Sequence, residues 1–117
     1  MISENMKKVL VALRSGEYTQ TTSTLQDSRG HCCLGVMCEV YEKETGDKIK
    51  RDFDDYIKGR SLLDLPKVQQ WVGLTDTCGT YLLPNGPTSL AQMNDRDGKS
   101  LSEIADFIES EPTGLLV

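Results

Sequence analysis

The 117-residue chain holds one histidine, one tryptophan and two phenylalanines, and its cationic side chains are outnumbered, 13 Lys and Arg against 18 Asp and Glu. With His31 as the single imidazole, any cysteine or serine nucleophile has one histidine to draw on, and a G-x-S-x-G nucleophile elbow is missing. With a formal net charge of −5, attraction to nucleic-acid phosphates or to anionic lipid is not expected, since both need a basic face, and the one local basic patch, Lys48, Lys50 and Arg51, is surrounded by Asp47, Asp52, Asp54 and Asp55. Long hydrophobic runs are also missing: the first residues, MISENMKKVLVALRSGEY, are broken by charge and carry no small-residue cleavage site. A soluble, cytoplasmic protein with no membrane segment is therefore expected. A disulfide scaffold is not, because Cys32 and Cys33 are adjacent and no secretion signal precedes them. No repeat, low-complexity stretch or linker divides the chain, so residues 1–117 are read as one domain.

What is present reads mainly as helix. Ser3 is placed to cap a helix whose apolar residues Met6, Val9, Leu10 and Leu13 recur at steps of three and four, with Gly16 as its stop. The Thr-rich stretch that follows, with Asp27, Ser28, Arg29 and Gly30 at a reversal, predicts a short hairpin. Cys33, Val36, Met37, Val40 and Tyr41 share one face of a second helix closed by Gly46. Residues 47–63 read as irregular with one short strand. Pro66 opens a third helix anchored by Val68, Trp71 and Val72 and stopped by Gly73. TYLL, residues 80–83, reads as strand or loop; Thr88 is the expected cap of a short helix with Leu90 and Met93. Ser100 and Glu103 form an S-x-x-E capping box for a last helix carrying Leu101, Ile104, Ala105 and Ile108. The sum is an α+β domain, mainly helical, with a short hairpin or small antiparallel sheet.

The stretch GHCCLGVMCEVY, residues 30–41, gathers His31, Cys32, Cys33 and Cys38. Zinc would need pairs of ligands converging from a knuckle, and adjacent cysteines diverge; redox chemistry would need C-x-x-C, whereas the spacings here are CC and C-x4-C. The thiols are read as reduced and packed as small hydrophobes at a helix start, with Cys33 and Met37 buried and no metal or cofactor bound. NDRDGKSLSEI, residues 94–104, fails as a calcium loop because Met93 and Ile104 would occupy its first and last ligand positions. It reads instead as a turn between helices. SLSEIADFI resembles the first helix of a helix-turn-helix, yet no recognition helix follows and its surroundings are acidic.

Two polar words remain. LRSGEYTQ, residues 13–20, is either a helix C-cap or one wall of a polar pocket for an anionic or nucleotide-like ligand. Together with the 94–100 loop it yields the candidate contacts Arg14, Tyr18, Gln20, Asn94 and Asp95, chosen because side chains beside helix termini can meet a ligand without disturbing the core. No catalytic residue is assigned.

In their order and spacing, ALRSGEYTQ, HCCLGVMCEVY, LPKVQQWVGL and SLAQMNDRDGKSLSEIADFIES resemble a group of small uncharacterised bacteriophage and prophage proteins. The resemblance implies an accessory protein acting in the host cytoplasm, for takeover or counter-defence, through a host protein or a small signalling molecule. The leading expectation is a non-enzymatic binding module that occupies a host protein or sequesters a nucleotide-like ligand. The competing one is a small enzyme acting on a nucleotide or phosphate ester, with Asp95 as base and Arg14 steadying the anion. The apolar helix faces also leave room for a homodimer.

Overall fold

The computed structural model describes residues 2–117. It is an α+β fold of five helices and two small antiparallel sheets. Helix α1 (Glu4–Arg14) starts where Ser3 Oγ accepts from the Met6 N–H at 3.1 Å, and Ser15 caps its other end just before Gly16 turns left-handed. Its stripe of Met6, Val9, Leu10 and Leu13 is buried as the spacing predicts.

The expected hairpin forms from β1 (Gln26–Asp27) and β2 (Gly30–His31), pairing Gln26 with His31 and Asp27 with Gly30. The chain on either side reinforces it. Residues 19–21 bond to both backbone groups of His31, while Leu25 and Gln26 donate to the carbonyls of Gly59 and Ile57.

Helix α2 (Cys33–Thr45) is the centre of the molecule, packed against α1, α3 and α4. Cys33 and Met37 are buried, as are Val36 and Val40. Cys32 is the N-cap: its Sγ accepts from the Gly35 N–H at 3.4 Å. Gly46 closes the helix at φ 76°.

Residues 47–63 contain no strand, contrary to the expectation of one. Buried charge holds this segment instead. Glu42, on the inward side of α2, accepts from the Ile49 N–H at 2.6 Å and from both arms of the Arg51 guanidinium at 2.8 Å, while Arg51 also reaches Glu39 at 2.6 Å. Burial pushes the Glu42 carboxyl up, but the Arg51 and Ile49 hydrogen bonds outweigh it and hold the pKa below the ordinary value. The basic-looking Lys48-Ile49-Lys50-Arg51 run therefore sends its arginine inward.

Helix α3 (Pro66–Val72) starts at Pro66 and ends at Gly73 in the left-handed conformation, as read. Strand β3 (Thr80–Leu83) is TYLL, and it has a partner that was not anticipated, β4 (Gly86–Ser89). Thr88 therefore lies in a strand, and Ser89 caps α4 (Leu90–Asp95), its Oγ accepting from the Gln92 N–H at 3.1 Å. The cap assignment at Thr88 is thus off by one residue: the chain is still paired to Tyr81 there and turns helical only after Ser89. The Ser100–Glu103 capping box opens α5 (Leu101–Glu109), with Leu101, Ile104, Ala105 and Ile108 buried. The last residues return to the fold: Leu115 is buried, and residues 113–117 bond to Gly73, Thr75 and Leu82.

Candidate functional site

The five residues singled out from sequence divide among three places. Arg14 lies across α5, its Nη2 2.7 Å from Asp106 and 2.8 Å from Glu109. Its ion pairs run to those two carboxylates and not to Asp95. Gln20, Asn94 and Asp95 do come together. Asn94 is 2% exposed and uses its whole amide: Oδ1 accepts from Gln20 Nε2 at 2.8 Å and the Cys33 N–H at 3.1 Å, and Nδ2 donates to the Thr21 carbonyl at 2.8 Å and to Asp95 Oδ1 at 2.9 Å. A buried amide with every position filled is a clamp, fastening the 20–21 segment and the start of α2 to α4. Gln20 also donates to the Lys99 carbonyl at 2.8 Å. Tyr18 is half-buried, edge-on to His31 with ring centroids 5.2 Å apart.

His31 in turn has Nε2 3.2 Å from Glu39, which Arg51 also holds. That hydrogen bond, with the Arg51 charge, keeps the Glu39 pKa below its usual value against the opposing effect of burial. The imidazole is thus part of the scaffold that fixes residues 47–51, with a carboxylate and a phenol ring as its partners. Burial pushes the thiol of Cys32 up to about 11 and those of Cys33 and Cys38 up as well, so all three are neutral thiols near pH 7. Among the described residues no group of three or more His, Cys, Asp or Glu side chains is placed to share a metal ion.

Asp95 leads to a different surface. Its Oδ1 accepts from the Ser23 N–H at 2.9 Å, holding Ser23 at φ 66°, while Oδ2 has no hydrogen-bond partner among the described residues. Asp95 forms one wall of an open groove of about 460 Å³. The groove is also lined by Ala91 and Gln92 of α4, by Arg96 just past the end of that helix, and by Ser23, Arg60, Ser61 and Cys78.

Backbone hydrogen bonds hold these walls in place. The Leu90 and Ala91 N–H groups donate to the carbonyls of Gly79 and Cys78, and the Leu62 N–H donates to Thr77 at 2.8 Å. Asp76 accepts from the Cys78 and Thr80 N–H groups at 3.1 and 2.8 Å. Its pKa is lowered even though burial alone would raise it, because those hydrogen bonds favour the carboxylate.

The charge distribution marks this groove out. Arg14, Arg29 and Arg51 are each paired with a carboxylate, whereas Arg60 and Arg96 make no ion pair among the described residues. A guanidinium matches the geometry of a phosphate or carboxylate through two parallel N–H donors. Beside it, a carboxylate oxygen such as Asp95 Oδ2 accepts a sugar hydroxyl or a base N–H. The volume lies within the range of about 300–1,000 Å³ usual for small-molecule sites.

Arg60, Arg96, Cys78, Ser23, Ser61 and Gln92 were not among the residues selected from sequence. Arg96 stands inside the NDRDGKS word that was, so its position beside Asp95 at the end of a short helix was a usable signal. Arg60 carried none, as it comes from the segment with no recognisable period.

The class of protein these observations define is a small α+β domain with a polar groove held in place by its own hydrogen bonds. The chain belongs to the family described as a domain of unknown function (DUF8296), whose model matches residues 1–112. No curated protein and no solved structure matches it significantly. Among the described residues no helix is long and apolar enough to cross a membrane.

Proposed function

We propose that the protein is a non-enzymatic binding module that holds a small phosphorylated, nucleotide-like ligand in the Arg60–Arg96–Asp95 groove. The observation that carries this reading is the pair of arginines without carboxylate partners, facing one groove in a chain whose net charge is −5. Elsewhere on this acidic surface arginines have carboxylates beside them; here the positions are open to an anion supplied from outside. Asp95 Oδ2 gives the ligand a second point of recognition and sets nucleotide-like molecules apart from bare phosphate. With the resemblance to phage and prophage accessory proteins, this supports a role in the host cytoplasm, in takeover or counter-defence, by sequestering such a molecule.

Isothermal titration with inorganic phosphate, sugar phosphates and nucleoside mono-, di- and triphosphates tests it. At least one nucleotide should bind more tightly than phosphate, with affinity falling about tenfold or more in Arg60→Ala and in Arg96→Ala. No binding of any of these at millimolar concentration, or wild-type affinity retained in both variants, sinks the proposal.

The free Asp95 oxygen also favours a second reading, an enzyme acting on a nucleotide or phosphate ester with Asp95 as base. Arg14 has no part in it, being engaged on α5. Phosphate or nucleoside release that disappears in Asp95→Asn while binding persists would decide for the enzyme; a bound nucleotide recovered unchanged decides for the binding module.

A further inference from the structure

Phe53 is 94% exposed, although phenylalanine is an apolar residue the chain uses only twice. It is not on a loose tail. Asp52 Oδ1 accepts from the Asp54 and Tyr56 N–H groups at 2.9 and 3.0 Å, the Asp52 and Asp55 N–H groups donate to the Tyr56 and Asp52 carbonyls, and Asp55 takes φ 66°. Lys58 pairs with Asp52 at 3.4 Å. The result is a stapled turn that holds an aromatic ring out in water, followed directly by two exposed acidic residues, Asp54 and Asp55, neither of them ion-paired among the described residues. A preorganised aromatic projection of this kind loses little conformational entropy on docking.

The same protein carries a receptor of complementary chemistry. A pocket of about 280 Å³ between residues 47–50 and the start of α3 has an apolar floor of Tyr41, Ile49, Leu65 and Val68. Lys48, Lys50 and Lys67 stand around it with Asp47 and Asp64. Asp47 is taken up by the Tyr41 hydroxyl at 2.6 Å and by Lys67 at 4.0 Å, whereas Lys48 and Lys50 have no ion-pair partner among the described residues. The cavity is smaller than the roughly 300 Å³ at which sites for drug-sized ligands begin, and suits a single ring. Its excess charge is positive, opposite to that of the turn bearing Phe53.

We propose that two copies of this chain associate about a two-fold axis, the Phe53 ring of each entering the lysine-edged pocket of the other, with Asp54 and Asp55 facing Lys48 and Lys50. Lys50, Asp64 and Leu65 line both this pocket and an adjoining hollow that Asp52 and Tyr56 of the turn also line, so projection and receptor are neighbours on one face and a reciprocal two-fold exchange closes at two subunits. The arginine groove takes no part.

The test is the oligomeric state of the purified full chain, by sedimentation equilibrium from micromolar to about millimolar concentration, with circular dichroism as a check of folding. The wild type should pass from 13.0 kDa to twice that mass, and Phe53→Ala should remain monomeric over the same range. Two charge variants refine the assignment. One carries Asp54→Lys with Asp55→Asn, since asparagine tolerates the left-handed backbone at 55; the other carries Lys48→Glu with Lys50→Glu. Each alone should be monomeric, because its turn and its pocket then carry like charge, and an equimolar mixture should form a heterodimer. A wild type that is monomeric throughout, a Phe53→Ala variant that still dimerises, or charge variants that fail to pair when mixed would each overturn the proposal.

Discussion

Replacing Gly35 by alanine should loosen the centre of the fold, although the substitution raises helix propensity. A Cβ at position 35 would lie 1.8 Å from the Leu25 carbonyl oxygen and 2.7 Å from its carbon, both backbone atoms. Contacts this short require the backbone at Leu25, just before β1, and α2 to part, and Leu25 is fully buried. Its carbonyl also accepts from the Cys32 N–H at 3.1 Å, and its N–H donates to Gly59 at 2.7 Å. Forcing a methyl into a packed interface costs about 3 kcal/mol, and a strained or lost hydrogen bond adds about 1 kcal/mol. The gain from alanine over glycine in a helix is at most about 1 kcal/mol. The net is a loss of about 3 kcal/mol, which for a chain of this length lowers Tm by about 12 °C, taking about 4 °C per kcal/mol. Urea and thermal unfolding followed by far-UV circular dichroism measure it. Gly46→Ala is the internal comparison: nothing lies within 4 Å of its Cβ, so the backbone at φ 76° is the sole penalty, about 1 kcal/mol. A Gly35→Ala protein at least as stable as wild type, or no worse than Gly46→Ala, would refute the packing argument for the CCLGV word.

The contacts chosen from sequence should separate in stability. Asn94→Ala leaves the Cys33 N–H and Thr21 carbonyl without the partners they now have, and should cost about 3 kcal/mol in chemical unfolding; Arg14→Ala, at an exposed ion pair, should melt with the wild type. Acid should destabilise the 47–51 segment through Glu39 and Glu42. Both carboxyls have folded pKa values below the ordinary 4.5, so their stabilisation is complete above pH 4.5 and is lost as pH falls through the lower folded values. The Glu39→Gln/Glu42→Gln protein should have a lower plateau near neutrality and a shallower loss below pH 4.5 in urea titrations; an unchanged acid limb would show that other carboxylates set it.

Periodicity made α1 and α5 legible because each buries one stripe, whereas α2, buried on every side from Cys33 to Cys38, was legible from its apolar spacing and its glycine stop. Met6, Val9, Leu10 and Leu13 identify α1, Gly46 and Gly73 end α2 and α3 in left-handed turns, and Ser100 with Glu103 opens α5. The same local logic read the cysteines correctly as buried helix-start residues, since Cys32 caps α2 and Cys33 packs beneath it. Four-residue strands gave less. GPTS has almost no apolar alternation, so β4 became a strand only because TYLL lies against it. Residues 47–51 are held by Arg51 reaching back to Glu39 and Glu42 on a helix already formed, a pairing for which no local spacing exists.

The candidate site divides along the same line. Asn94 and Asp95 were visible as polar residues beside a helix end, but whether each faces the core or the solvent depends on what packs over that end. Segments 20–23 and 33 cover Asn94 and leave Asp95 Oδ2 in the groove. Arg60 and Arg96 are 36 positions apart, and only the docking of residues 60–62 on the 77–79 turn beside α4 puts them on one groove. Sequence determined the helices, the first hairpin and the packing of Cys32 and Cys33 at a helix start, through interactions that reach a few residues. Tertiary structure decided which polar residues are clamps and which remain free, because a side chain's partners are chosen by the surface folded against it.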